Sequence, residues 1–192
     1  NKISGGKIIV RCPSADEKTF LTLDGSERTL DPSILMICDA DRPVAVAGVM
    51  CGFDSEVSPE TSEILLESAC FNPISIRKTA RKLSIPSEAS YRFERGVDPN
   101  GAGIAMERAV QFLVEHAGAV VEEGGVDVYP GEKQELVLSL RVQKVCDLLG
   151  IDISADEIST YLKSIDFDVH PEADGVLHVN VLSFRVEIER EV

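Results

Sequence analysis

"SEASYRFERGVDP", residues Ser87 to Pro99, packs small, aromatic and charged side chains together before a Gly and an Asp-Pro close it. Ser90, Arg92 and Glu94 alternate with Tyr91, Phe93 and Arg95. That period of two predicts a strand over 90–95 with Tyr91 and Phe93 packed on one side. Just upstream, Asn72-Pro73 supplies a helix cap and first helical residue for "ISIRKTARKL", which stops before Pro86. Just downstream, Asp98-Pro99 opens a helix in which Met106, Val110, Leu113 and Ala117 share a face and Gly118 takes the left-handed end position.

Further upstream the chain reads as short strands. "KIIVR" is followed by "FLTL" and "RTL" around Asp24-Gly25-Ser26, a hairpin signal. "ILMIC" (34–38), "VAVAGVM" (44–50) and "EILLESACF" (63–71) are apolar runs of the length expected for buried strands. The composition breaks at "YPGEKQE", rich in Pro, Gly and charge. We take 1–129 as a first domain, 130–135 as a linker and 136–192 as a second, smaller domain.

The second domain reads as strand "LVLSL", helix "VQKVCDLL" closed by Gly150, a helix opened by a Ser154/Glu157 capping box, and strands "FDVHP" and "VLHVNV" about Asp174-Gly175. Strand, helix, helix and hairpin is a winged-helix-like order. The final "RVEIEREV" has the alternation of a strand cut short, so the chain reads as a fragment. The expected class is α+β: a mixed sheet with packed helices, then a small winged-helix-like α+β module. DNA reading by that module is opposed by its charge, five Lys or Arg against eleven Asp or Glu from Leu136 onward.

The chain is 192 residues long, 44% hydrophobic, with a formal charge of −14. No apolar stretch approaches the ~20 residues of a membrane span, and no secretion signal opens it, so a cytoplasmic protein is expected. Five scattered cysteines (12, 38, 51, 70, 146) and three isolated histidines (116, 170, 178) contain no metal-ligand spacing, so no metal site is expected. The charge is uneven: between Asn72 and Arg95, Arg77, Lys78, Arg81, Lys82, Arg92 and Arg95 face only Glu88 and Glu94. This basic island is a candidate RNA contact, although Arg92, Glu94 and Arg95 fit an internal charge network equally well.

"LTLDGSERTL", "VAVAGVMCGFDSEVSPETSEILLESACFNPISIR" and "SEASYRFERGVDP" resemble, in order, the β subunit of bacterial phenylalanyl-tRNA synthetase, and "LLGIDISADEISTYLKSIDFDV" resembles the module that follows its editing domain. The resemblance implies post-transfer editing, the hydrolysis of tyrosine wrongly esterified to tRNA(Phe). A pocket built for phenylalanine rejects an added hydroxyl by only about 10², whereas a second site that hydrogen-bonds the hydroxyl can discriminate by about 10⁴ or more.

Carried over by motif, Glu67 in "LLESACF" recognises the tyrosine hydroxyl, and Ser87 and Ala89 match a Thr-x-Ala pair lining the pocket. Cys51-Gly52 stands where the family usually has Gly-Gly, so Cys51 is expected to line and narrow the pocket. It has no partner to activate it as a nucleophile. No catalytic base is assigned, and a family histidine of the editing site is expected upstream of Asn1.

The resemblance further implies an α subunit partner in a heterotetramer of two α and two β subunits, with tRNA(Phe) and tyrosine as ligands. ATP and Mg²⁺ belong to the whole enzyme, and no cofactor is expected on this chain. A scaffold that contacts tRNA without editing is the alternative reading.

Overall fold

Short extended segments separated by Asp, Gly and Pro give the first part of the chain its sheets. The computed structural model describes residues 3–131 and 134–191. Glu132 and Lys133, in the expected linker, lie outside the described residues. The chain divides into two compact units, 1–97 and 98–192.

In the first unit, β1 (Ile9–Arg11), β2 (Thr19–Leu21), β3 (Glu27–Thr29), β4 (Met36–Cys38), β5 (Pro43–Val46) and β6 (Met50–Cys51) precede two helices, α1 (Pro73–Leu83) and α2 (Glu88–Phe93). One antiparallel sheet runs β1-β4-β5-β6, and β2 and β3 form the expected hairpin. All three residues of β4 are buried, as its unbroken apolar run predicts. Ile34, Met36, Val46 and Ile76 are essentially inaccessible, each side chain contributing about 1.5–3 kcal/mol by leaving water.

α1 begins as its sequence predicts: Asn72 Oδ1 accepts from the Ser75 N–H at 3.0 Å, and Pro73 takes the first turn. Ile76, Thr79, Ala80 and Leu83 are its buried face, and it ends at Ser84 in the left-handed region. Arg28 ties the hairpin to that end. Its Nη1 donates to the Leu83 carbonyl at 3.0 Å and its Nη2 pairs with Asp24 at 2.6 Å.

Three expectations need correction in this unit. "SYRFER" is the end of a helix and a turn, not a strand: Ser87 and Ser90 form a capping box that starts α2, which buries Ser90 and leaves Tyr91 exposed. Phe93 does pack inward, its ring 4.9 Å from Phe71 and nearly perpendicular to it. "VAVAGVM" is two strands, because Gly48 at φ 65° turns the chain between β5 and β6. "EILLESACF" forms no strand, and Ile64 and Leu65 are exposed. Among the described residues, no ladder partner adjoins it to satisfy its backbone as a strand.

The β4–β5 turn is held by Asp39, only 1% exposed, which accepts from the backbone N–H groups of Ser4, Asp41 and Arg42 at 3.0, 2.9 and 2.8 Å. These bonds favour the ionised form and hold its carboxyl below the ordinary aspartate value. A lowered folded-state value adds stability above about pH 4 that is lost as pH falls. Thermal melts of the wild type and Asp39→Asn between pH 7 and pH 3 are expected to differ most at pH 7 and converge in acid.

In the second unit, α3 (Gly101–Ala117) ends at Gly118 in the left-handed region, as predicted. It starts two residues beyond Asp98-Pro99, because Asp98 Oδ1 accepts from the Asn100 N–H and holds a turn before the helix. β7 (Leu136–Arg141), α4 (Val142–Leu149), α5 (Ala155–Ser164), β8 (Asp168–Pro171) and β9 (Val176–Val181) follow in the winged-helix-like order. The antiparallel sheet runs β7-β9-β8, and Ile158, Phe167, Val169, Leu177 and Val179 form the core under α5. The Ser154/Glu157 capping box is present.

"RVEIER" was expected as a strand and makes turns instead. Glu191 lies beyond it and pairs with Arg141 at 2.7 Å and Lys144 at 3.0 Å, which lowers its carboxyl to about 2.

Candidate functional site

β6 delivers Cys51 and Gly52 beside the hairpin. Leu23 N donates to the Cys51 carbonyl at 3.0 Å, and Gly52 N donates to the Val44 carbonyl at 2.8 Å. Gly52 is buried, and a Cβ there would stand 2.7 Å from the Phe20 ring and 2.9 Å from the Val44 carbonyl oxygen. Only glycine lets β6 approach so closely. Its backbone role is therefore set by space rather than by φ.

Cys51 is exposed, and its thiol is pushed up by desolvation and then by the negative charge of Glu67. The structure thus brings Cys51 and Glu67 within electrostatic reach of each other. A thiol held protonated is a poor nucleophile. Glu67 is exposed, yet the protein around it is enough that desolvation raises its carboxyl above the ordinary glutamate value. Among the described residues it has no hydrogen-bond or ion-pair partner.

Ser87, the cap of α2, bonds to the turn that leads into β6. Its Oγ donates to the Val49 carbonyl at 2.6 Å and accepts from the Ser90 N–H at 3.0 Å, so one hydroxyl both caps α2 and ties it to the approach to β6. Ala89 is half-buried in the first turn of α2. Ser87→Ala removes both bonds and is expected to cost about 1–2 kcal/mol in denaturant unfolding, while Ser87→Thr retains most of the stability. No hydrogen bond joins Glu67 to Ser87 among the described residues.

Sequence reasoning passed over Ser90, buried at 3% exposure and placed so that its Oγ accepts from the Ser87 N–H at 3.1 Å. The signal was the Ser-x-x-Ser spacing directly after Pro86. The six cations of the basic island divide in two. Lys82 pairs with Asp31 at 2.5 Å, Arg92 with Glu88 at 3.2 Å and Arg95 with Glu94 at 3.0 Å. Arg95 also lies 3.6 Å above the Tyr91 ring. Arg77, Lys78 and Arg81 are exposed and have no ionic partner among the described residues.

No group of three His, Cys, Asp or Glu side chains among the described residues is arranged to hold a metal ion. No helix there is long and apolar enough to cross a membrane.

A family model described as the B3/4 domain matches residues 1–118, and one described as the tRNA synthetase B5 domain matches 138–192. The chain is 48% identical over 192 residues to the phenylalanine–tRNA ligase β subunit of Desulfotalea psychrophila, covering 99% of this chain and 24% of that protein. It is 44% identical over 190 residues to that of Geobacter metallireducens, again covering 99% of this chain and 24% of the relative. The chain therefore spans about a quarter of the length of these relatives. With a B3/4 domain over its first 118 residues and a B5 domain after it, the chain belongs to the phenylalanine–tRNA ligase β-subunit family as a segment of such a subunit.

Proposed function

We propose that this segment edits mischarged tRNA, hydrolysing the ester of Tyr-tRNA(Phe), with residues 1–129 as the editing domain, 130–135 as linker and 136–192 as a supporting module. The observation that carries the reading is Glu67: a carboxylate without a partner among the described residues, raised by desolvation, near Cys51 of β6, with the Ser87 cap bonded to Val49 just before that strand. A tyrosine hydroxyl would give that carboxylate the hydrogen bond it lacks, whereas phenylalanine would leave it unpaired. Cys51, Gly52, Ser87 and Ala89 form the wall around the ring, with tyrosine and tRNA(Phe) as ligands.

In the whole protein an α subunit completes the heterotetramer in the cytoplasm and ATP-dependent, Mg²⁺-requiring aminoacylation takes place outside this segment. Hydrolysis needs a placed water and stabilisation of the developing oxyanion, which backbone N–H groups or a ribose hydroxyl of the tRNA supply.

Deacylation of Tyr-tRNA(Phe) and Phe-tRNA(Phe), measured side by side with the heteromeric ligase and with this chain, tests the proposal. Preferential release of tyrosine by the ligase is expected. Equal release of both amino acids, or of neither, would leave the segment as a tRNA-contacting scaffold.

A further inference from the structure

We propose that the outer face of α1, made by Arg77, Lys78 and Arg81, is the surface on which this segment holds the phosphate backbone of its tRNA, whereas Lys82, Arg92 and Arg95 are paired at the surface with carboxylates of this chain. The proposal rests on the editing reading above for the identity of the RNA.

Its basis is how the charges are used. In a chain of charge −14, carboxylates are abundant, yet these three cations have none beside them among the described residues. The two acidic residues of the island, Glu88 and Glu94, are taken by Arg92 and Arg95, and Lys82 takes Asp31. What remains is a positive stripe on one helix. Arg77 and Arg81 are one turn apart, about 6 Å, with Lys78 beside them. Ile76, Thr79, Ala80 and Leu83 bury the opposite face, so the stripe points away from the core.

The bland account of basic residues on a helix is compensation of the dipole at its C-terminal end. That account covers Arg81 and Lys82 in the last turn. It does not cover Arg77 and Lys78, which sit mid-helix where the dipole offers them little. An acidic protein surface is a competing partner, but a polyanion rewards closely spaced cations with counterion release that an isolated carboxylate does not provide.

The test uses the heteromeric ligase carrying Arg77→Gln, Lys78→Gln and Arg81→Gln together, changes that preserve helix propensity at exposed positions. Deacylation of Tyr-tRNA(Phe) is measured across a salt series. The expected result is a KM raised about tenfold or more at low salt with kcat little changed, and a salt slope shallower by about two to three. A charge-matched control, Lys18→Gln, Lys163→Gln and Arg190→Gln, is expected to keep the wild-type slope.

An unchanged KM and slope in the α1 variant, an equal effect in the control, or lost subunit association with tRNA affinity intact would each overturn the proposal. Absence of deacylation in the wild-type ligase would overturn the editing reading instead. Direct tRNA binding by the same variants still decides the question of the surface in that case.

Discussion

Glu67→Ala in the whole ligase is expected to lower deacylation of Tyr-tRNA(Phe) by between about tenfold and a hundredfold, the worth of a hydrogen bond to a charged group. Formation of Phe-tRNA(Phe) should be close to unchanged, and residual hydrolysis should discriminate less between tyrosine and phenylalanine. Unaltered hydrolysis of Tyr-tRNA(Phe) would remove Glu67 as the discriminating group. The same residue makes a second, opposite prediction. Because its folded-state carboxyl lies above the ordinary glutamate value of about 4.3, the folded chain holds that proton more firmly than the unfolded chain. Ionisation therefore removes stability as pH rises through that window. Glu67→Gln should melt above the wild type at pH 7, with the gap closing toward pH 4. A residue whose replacement raises stability while activity falls is being kept for its chemistry.

Gly48→Ala is expected to be strongly destabilising, costing about 2–4 kcal/mol and lowering the melting temperature by about 10 °C. Two costs coincide there. Gly48 has φ 65°, and an added Cβ would stand 2.8 Å from the Phe71 ring and 2.9 Å from Ile76 Cδ1. Gly25, also at positive φ, has nothing within 4 Å of its Cβ position. Gly25→Ala then measures the conformational cost alone, about 1–2 kcal/mol. Parallel melts of the two variants separate strain from crowding. Equal losses would mean that Phe71 and Ile76 move aside freely.

Sequence signals were legible where a residue type has one mechanical use. Asn72-Pro73, Asp24-Gly25, Gly118, Gly150 and the Ser154/Glu157 pair all cap or turn the chain as their chemistry dictates. Periodicity misled where the element is short. The six-residue helix α2 buries Ser90 and partly buries Phe93, three apart, and so short a run also satisfies a period of two. The apolar run 63–71 misled for another reason, since hydrophobicity does not supply a ladder partner. For the candidate site, motif placed Glu67, Cys51 and Ser87, but two physical facts were hidden. Among the described residues Glu67 lacks a partner, and Ser87 is a helix cap bonded to Val49. Both depend on residues distant in sequence. The division of the basic island was equally invisible, because Lys82 finds its carboxylate at Asp31, far upstream.

The hydroxyl of Ser87 has one hydrogen and two lone pairs to offer. The hydrogen goes to Val49 and one lone pair accepts from the Ser90 amide, while the Ser90 hydroxyl donates to the Ser87 carbonyl at 3.0 Å. Its one hydrogen is therefore committed, and Ser87 has no donor to offer a visitor. What the bond fixes is a length: it holds the start of α2 at hydrogen-bond distance from the turn that leads into β6. If the tyrosine pocket lies here as proposed, Ser87 would contribute shape rather than a donated hydrogen bond, and the polar choice would fall to Glu67.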